Sequence, residues 1–341
     1  MAVMAPSDRP TVGNLAELAK IAGVSASTVS RALSGSSVVS EKTRARIVEL
    51  ARIHGFQPNH LARNLRLKRT QAVAVVLPLG HETGQHLSDP FFIAMLGHLA
   101  DTLAERGHDL LLSRARADDD HWLDAIVDSG RVDGVIVIGQ SDQVDALDRV
   151  AARYRPLVVW GANLPGHRHV SVGSDNRAGG EMAARHLIDT NRRRLAFFGA
   201  ADAPEIAERR EGFLRACDLA GVSDLAETLP VPLTGAAAHE AILDRLRAGP
   251  TPDGVVAATD VIAMSAIRAF REVGLSVPED VGVVGYDDVS PADHTIPPLT
   301  TIGQNLAEGA RLLVDKLFEA LAGGDLESAT LAPELIIRES T

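Results

Sequence analysis

A handful of residues end short apolar runs, or stand just beyond them, with side chains suited to holding a small molecule. Asp89, Phe91 and Phe92 lie in SDPFF, after the run AVAVVLP. Trp160 ends LVVW, Arg209 opens RREGF, Thr259 ends GVVAAT, and Asp287 ends VVGYD. Together they offer carboxylates, a guanidinium and flat aromatic faces. A polyhydroxylated sugar needs bidentate polar contacts to neighbouring hydroxyls and an apolar platform for its C–H face. A largely apolar cleft with a few placed polar groups is a general small-molecule site. Arg209 and Asp287 read as ligand contacts, with a structural ion pair as the alternative. Trp160 reads equally as a stacking plate or as core. Phe91 and Phe92 should divide, one toward the cleft and one inward. Asp175 in GSDNRAGG reads as a helix cap, and Tyr286 as packing.

No catalytic constellation stands beside this set. The chain lacks a GxSxG elbow, a GxxxxGK[ST] phosphate loop and a GxGxxG fingerprint. His81-Glu82 with His86 misses the HExxH spacing by one residue, so the two imidazoles would not share a metal. Asp118-Asp119-Asp120-His121 reads as an exposed acidic turn. The expectation is a binding protein with no enzyme activity, cofactor or metal.

A second kind of chemistry sits near the start. In LAELAKIAGVSASTVSRAL, apolar residues at Leu15, Leu18, Ala19 and Ala22 mark one helix face. Asn14 with Glu17 forms a capping-box-like start, and Gly23 permits the left-handed backbone that ends a helix. Ser25 can cap a second helix, Ala26 to Leu33, whose Val29 and Leu33 face inward. Ala26, Ser27, Ser30 and Arg31 then face outward. Two short helices across a Gly-containing turn make a helix-turn-helix, whose second helix enters a DNA major groove. Ser40 caps a third helix, Glu41 to His54, with Ile47, Leu50, Ala51 and His54 at core spacing. Its Lys42, Arg44, Arg46 and Arg52 suit either a solvated face or phosphate contacts. Beyond Pro58, a short basic helix from His60 to about Leu67 carries Leu65, a pattern suited to a minor-groove wedge or to a plain linker.

Charge separates the same way. Residues 1–70 hold 11 Lys+Arg against 4 Asp+Glu, while the remainder holds 23 against 41, within a chain of net charge −11. A basic head on an acidic body suggests that only the head meets a polyanion. One cysteine, Cys217, excludes a disulfide framework. No apolar run reaches membrane-spanning length and no secretory apolar segment opens the chain, so a soluble cytoplasmic protein is expected.

From Ala72 onward, strand-like runs (AVAVVLP, DLLLS, GVIVIG, LVVW, LAFFG, GVVAAT, VGVVGY) alternate with helical spacing at 92–105, 177–188, 211–219 and 261–273. Such alternation argues for parallel sheets covered by helices, with ligands held outside the carboxyl ends of the strands.

The AGVS-x-x-TVSR, VS-x-x-TR and GF-x-PN-x-x-AR-x-L motifs, in this order and spacing, resemble the head of the LacI family of bacterial transcriptional regulators. Further landmarks (VVLP, SDPFF, DGVIV, GSDNRAGG, RREGF, VVGYDD and PPLTTI) extend the resemblance over nearly the whole chain after residue 10. It implies an α/β fold: a helix-turn-helix head at 11–57, a hinge helix and linker at 58–70, and a two-lobed type I periplasmic-binding-protein-like core at 71–341. The lobes would span about 71–172 with 303–332, and about 173–302 with 333–341.

The DNA-binding residues implied are Ser25, Ala26, Ser27, Thr28, Ser30, Arg31, Ser40, Thr43, Arg44, Asn59, Ala62, Leu65 and Arg66. Ala26 and Ser27 would tune base preference, and Leu65 would wedge into the minor groove between Ala62 and Arg66. The effector positions implied include Asp89, Trp160, Arg209, Thr259 and Asp287. Two depart from the family pattern: Trp160 stands where some sugar-responsive relatives carry an acid, and Thr259 where Asn is common. The expected function is a repressor of carbohydrate-utilisation genes, a homodimer on a pseudo-palindromic operator of double-stranded DNA. Its effector would be a mono- or disaccharide. The alternatives are a purine or other small-metabolite corepressor and, more remotely, a sugar-binding protein without a specific DNA target.

Overall fold

The structure is a computed structural model that describes residues 12–33, 36–56, 70–78, 86–114, 121–200 and 203–341. The helix expected at 60–67, with Asn59, Ala62, Leu65 and Arg66, lies outside the described residues, as do His81-Glu82 and Asp118 to Asp120. The chain divides into two units, 1–69 and 70–341.

The first unit is a three-helix head: α1 (Leu15–Ala22), α2 (Ala26–Leu33) and α3 (Glu41–Ile53). Local chemistry sets each boundary. The Asn14 side chain accepts from the amides of Ala16 and Glu17, and Glu17 reaches back to the Gly13 amide at 3.0 Å. Gly23 ends α1 at φ +63°, in the left-handed region that glycine enters without a Cβ penalty. Ser25 and Ser40 accept from the amides of Thr28 and Thr43, the bonds that start α2 and α3. Leu18, Ala22, Val29, Ala32, Ile47, Ala51 and Phe56 close a small core, with Leu15, Leu33 and Leu50 packed partly buried against it.

The second unit holds two sheets of the same design. The first contains β1 (Ala72–Leu77), β2 (Asp109–Arg114), β3 (Gly134–Ile138), β4 (Leu157–Trp160), β5 (Val170–Ser174) and β11 (Ala329–Leu331). Its strand order is β2-β1-β3-β4-β5-β11, all parallel. The second contains β6 (Leu195–Phe198), β7 (Glu227–Leu229), β8 (Gly254–Ala257), β9 (Gly282–Asp287), β10 (Thr300–Gly303) and β12 (Glu334–Ile336). Its order is β7-β6-β8-β9-β10-β12, parallel except for β12, which runs antiparallel to β10 at the edge. The chain passes from the first sheet to the second after β5, returns after β10, and crosses once more between β11 and β12.

Helices cover both sheets. In the first lobe they are α4 (Pro90–Glu105), α5 (Trp122–Val127) and α6 (Val144–Ala151). Next along the chain come α7 (Asn176–Asp189), α8 (Pro204–Leu219), α9 (Gly235–Ala248) and α10 (Asp260–Glu272). Finally α11 (Leu306–Leu321) returns to pack Leu313, Val314 and Leu317 under the first sheet. Most apolar runs become buried strands, but DLLLS becomes the edge strand β2 with Leu111 and Leu112 exposed, and β5, β7 and β10 carry too few large apolar residues to announce themselves. Helical spacing marks α8 only from Glu211, but the helix begins at Pro204. Its first turns (PEIAERR) are polar, and Pro204 at the first helical position sets the start.

The crossing of α7 and α8 depends on glycine. A Cβ on Gly180 would lie 1.9 Å from the Arg209 carbonyl oxygen, and one on Gly212 would lie 2.0 Å from that of Arg177. The two backbones therefore touch, which is the physical content of GG in NRAGG and of the Gly in RREGF. Gly212→Ala should force the helices apart and destabilise the core by about 2 kcal/mol or more, in the range of overpacked interiors. An unchanged denaturation midpoint would contradict that packing.

Candidate functional site

In the head, α2 buries Val29 and Ala32 and leaves Ala26, Ser27 and Arg31 exposed, with Thr28 and Ser30 half-buried. The outward set is thus the expected one, with Ser30 partly covered. At the start of α2, the Ser25 hydroxyl lies 2.8 Å from those of both Ser27 and Thr28. Ser40 and Thr43 form a similar pair at the start of α3, 2.9 Å apart. Exposed hydroxyls and amides at a helix N-terminus are natural phosphate partners. Several α3 cations also have structural work. Arg46 donates to the Ala22 carbonyl that ends α1, and Arg44 donates to the Ser36 carbonyl and pairs with Glu41. Arg52 is tied to Glu49.

In the core, all of the seven residues proposed from sequence line one cavity. It is open to solvent and is walled by Asp89, Phe91, Phe92, Trp160, Arg209, Thr259 and Asp287 with Pro78, Ile138, Gly139, Ser141, Ala203, Glu205, Ile206 and Leu233. Topology explains the convergence. In an open sheet of order 2-1-3-4-5, ligands sit outside the carboxyl ends of the strands where the order reverses. Pro78 and Asp89 follow β1, and Gly139 and Ser141 follow β3. In the second lobe Ala203, Glu205 and Arg209 follow β6, and Thr259 follows β8. The two reversal points face one another across the cavity.

Most of the polar lining is held at helix starts. Asp89 caps α4, accepting from the Phe91 amide at 2.9 Å, and Thr259 caps α10, accepting from the Ile262 amide at 3.3 Å. Asp175 does cap α7, bonding the Ala178 amide, and stands apart from the cavity lining. Phe92 is buried and Phe91 is half-buried, their rings edge-to-face with centroids 5.4 Å apart, but both line the cavity, so they do not divide between cleft and core. Trp160 is part of the first-lobe core. It lines the cavity, yet its ring rests on α11, where a Cβ on Gly309 would lie 2.3 Å from it.

Arg209 and Asp287 form a buried pair, Nη1 to Oδ1 at 3.6 Å, so the ligand-contact and ion-pair readings apply to the same two side chains. The guanidinium is held from three sides: Nε donates to Asn176 Oδ1 at 2.9 Å, Nη1 donates to the Ala258 carbonyl at 2.5 Å, and Cζ lies 3.7 Å from the Tyr286 ring centroid. Tyr286 is packing, as expected, with the further role of a cation–π floor. Gln304 donates to Asp287 Oδ1 at 2.6 Å. Asp287 itself sits at φ +116°, a conformation rare for any residue but glycine and typical of functional sites. Burial pushes the Asp287 carboxyl well up, with Arg209 pulling the other way and Asp260 and Asp89 adding to the rise.

Asp260 and Asn176 were not singled out from sequence. Each is a buried polar residue at the first position of its helix, and a polar residue there reads as an ordinary helix start. Asp260 is wholly buried, accepting from Thr301 Oγ1 at 2.6 Å and from the Val289 amide at 2.9 Å. Burial pushes its carboxyl up to about 7. Glu205, Ser141 and Gln140 were also missed, because each stands in a polar stretch without a motif.

The head and the two-lobed cavity define a class: a DNA-binding module joined to a ligand-binding α/β core. The comparisons agree. Residues 14–59 match "Bacterial regulatory proteins, lacI family", and residues 184–341 match "Periplasmic binding protein-like domain". The HTH-type transcriptional regulator CelR of Thermobifida fusca is 36% identical over 353 residues, covering 97% of this chain and 98% of that protein. Among solved structures, the transcriptional regulator CelR–cellobiose complex superposes with TM-score 0.69 at 30% identity, covering 97% of this chain and 100% of that one. The lac repressor dimer bound to operator and the anti-inducer ONPF superposes with TM-score 0.84 at 25% identity, covering 97% and 99%. This chain belongs to the LacI family of DNA-binding transcriptional regulators. Among the described residues, no helix is long and apolar enough to cross a membrane.

The raised Asp260 carboxyl sets a pH dependence. Its folded-state value lies above that of an unfolded aspartate, so the folded state holds the extra proton between about pH 4 and 7. This residue's contribution to stability should therefore fall as pH rises through that window and level off above it. Asp260→Asn, whose oxygen can accept from the Val289 amide while its NH2 donates to the Thr301 hydroxyl, should flatten the slope of unfolding free energy against pH. Equal slopes for the two proteins would contradict the assignment.

Proposed function

We propose that this regulator is a repressor of carbohydrate-utilisation genes, released from its operator by a mono- or disaccharide bound between the core lobes. The observation that carries the reading is the cavity: a buried Arg209–Asp287 pair set beside the flat faces of Trp160 and Phe91. Carboxylates and a guanidinium can bind neighbouring hydroxyls in bidentate fashion, while the aromatic faces take the C–H side of a pyranose ring. A relative solved with cellobiose supports the class of ligand.

The active form is a cytoplasmic homodimer on a pseudo-palindromic site, a reading supported by the lac repressor dimer on operator. Two heads related by a two-fold axis read two half-sites. Exposed apolar side chains of the first lobe (Ile93, Leu111 and Leu112) suit coverage by a second copy. In the head, Ala26 and Ser27 tune base preference, and Ser25, Thr28, Ser30, Arg31, Ser40, Thr43 and Arg44 contact the groove and its phosphates. Outside the described residues, Asn59, Ala62 and Arg66 accompany Leu65, which wedges between base steps. Sugar closes or twists the lobes, draws the two hinge segments apart and withdraws the wedges, a shift between two existing populations.

The deciding experiment is a thermal-shift screen of sugars, with nucleobases and nucleosides as controls, since a ligand of the folded state raises the melting point by mass action. One sugar should give a clear shift, lost in Arg209→Ala and in Asp287→Ala. A shift with purines alone would replace the sugar with a base stacked on Phe91 or Trp160. In competition titrations, operator should exceed random DNA by about 10³-fold or more at physiological salt. Equal affinity for both would refute the specific-repressor reading.

A further inference from the structure

The run DGVIV opens with an acid that the ligand site does not use. Asp133 stands just before β3, at the amino end of that strand, whereas the cavity takes Ile138, Gly139 and Ser141 from the carboxyl end. β1 runs parallel beside it, with Pro78 of the cavity lining just past its carboxyl end. The amino ends of both strands are thus a strand's length from the ligand, about 20 Å.

There Asp133 grips the chain where the core begins. Its Oδ1 accepts from the Thr70 amide at 2.6 Å and from the Thr70 hydroxyl at 3.0 Å. Its Oδ2 accepts from the Gln71 amide at 2.9 Å. The second unit starts at Thr70, so these are the first core residues after the head and the segment that follows it. Gln71 sits at φ +55°, a left-handed conformation that costs any residue with a Cβ. Its carbonyl accepts from the Asp109 amide at 2.8 Å.

The gripping carboxylate is itself anchored. The Asp133 amide donates to the Ala72 carbonyl at 2.8 Å, and the Asp133 carbonyl accepts from the Tyr154 hydroxyl at 3.1 Å. The side chain is only 7% exposed, so its three charge-assisted bonds meet little competition from water. His108 Nε2, 3.8 Å from Oδ2, is too far for a hydrogen bond. None of the three bonds belongs to the sheet ladder. What they fix is two residues of chain ahead of β1.

Two residues of slack would matter to a protein that reads two half-sites. Releasing Thr70 and Gln71 would lengthen each tether by about 7 Å when extended. One base pair advances the duplex by only about 3.4 Å. A tether that loosens also lowers the effective concentration of the second head once the first is bound.

We propose that Asp133 is a positioning residue for operator recognition, whose carboxylate fixes the point from which the chain leaves the core and so sets the reach of each head. This rests on the reading above of a homodimer on a two-half-site operator.

The test uses the full-length protein and duplexes that wild type selects from a random library, each remade with one base pair inserted or removed at its centre. Wild type should bind the selected spacing about tenfold or more tightly than either altered one. Asp133→Asn keeps the shape but sets an NH2 against one of the donors. It should weaken binding to the selected spacing about tenfold, cut the spacing preference to about threefold or less, and leave binding to random duplex within about twofold. Hydrogen exchange at the Thr70 and Gln71 amides should quicken in the same variant. Thr70→Val, which removes one donor, should shift the preference the same way by less. Tyr154→Phe removes the bond to the Asp133 carbonyl and leaves the carboxylate in place, so it controls for lost stability and should keep the wild-type preference. A merely structural Asp133 would lower the melting point while the spacing preference stayed intact, which would overturn the proposal. Equal tolerance of all three spacings by wild type would overturn it too. Selection of a single half-site by wild type would instead remove the homodimer reading and the proposal with it.

Discussion

The core is arranged around one buried charge pair. Arg209 and Asp287 lie 3.6 Å apart where both side chains are nearly out of water. Burying two charges costs several kcal/mol each unless geometry and further hydrogen bonds compensate. The compensation is visible residue by residue. Asn176, the Ala258 carbonyl and the Tyr286 ring hold the guanidinium, and Gln304 holds the carboxylate. Asn176 reaches the guanidinium from α7, which crosses α8 with the two backbones in contact, as Gly180 and Gly212 permit. The pair therefore constrains sequence well beyond the cavity lining.

Two copies of one topology supply the walls. Each sheet has its strand reversal between the strand that opens the lobe and the third strand of that lobe, and the cavity lies where the two reversals face each other. A ligand there touches both lobes, so its binding energy depends on their relative position. That dependence is what lets a small molecule bias a two-state element. The crossing after β10 passes Asn305, whose φ is +53°, a backbone conformation that the surrounding structure must hold.

Much of this was legible in the residues themselves. AVAVVLP, GVIVIG and VGVVGY announced buried parallel strands through length and β-branched content, and Asn14, Gly23, Ser25 and Ser40 marked helix ends by side-chain chemistry. Trp160, Thr259 and Asp287 were legible because each ends such a run, where an α/β fold presents its ligand groups, whereas Asp89, Phe91, Phe92 and Arg209 were marked by SDPFF and RREGF. What stayed hidden has a common physical cause. Strands β5, β7 and β10 are paired by backbone hydrogen bonds while carrying small or polar side chains, so hydropathy is silent about them. The first turns of α8 are charged because they line the cavity mouth, which erased the apolar period and hid Glu205 with it. Asn176 and Asp260 matter through partners distant in sequence, which no local pattern encodes.

The central claim is that the cavity and the head share one free-energy balance. If sugar weakens operator binding by some factor, operator must weaken sugar binding by the same factor. The most direct test is calorimetric titration of the sugar into the free protein and into the protein saturated with operator. The account predicts a lower sugar affinity on DNA, by a factor equal to the loss of operator affinity measured independently with saturating sugar. Equal sugar affinities in the two states would contradict it, because a ligand indifferent to the DNA-bound state cannot release it.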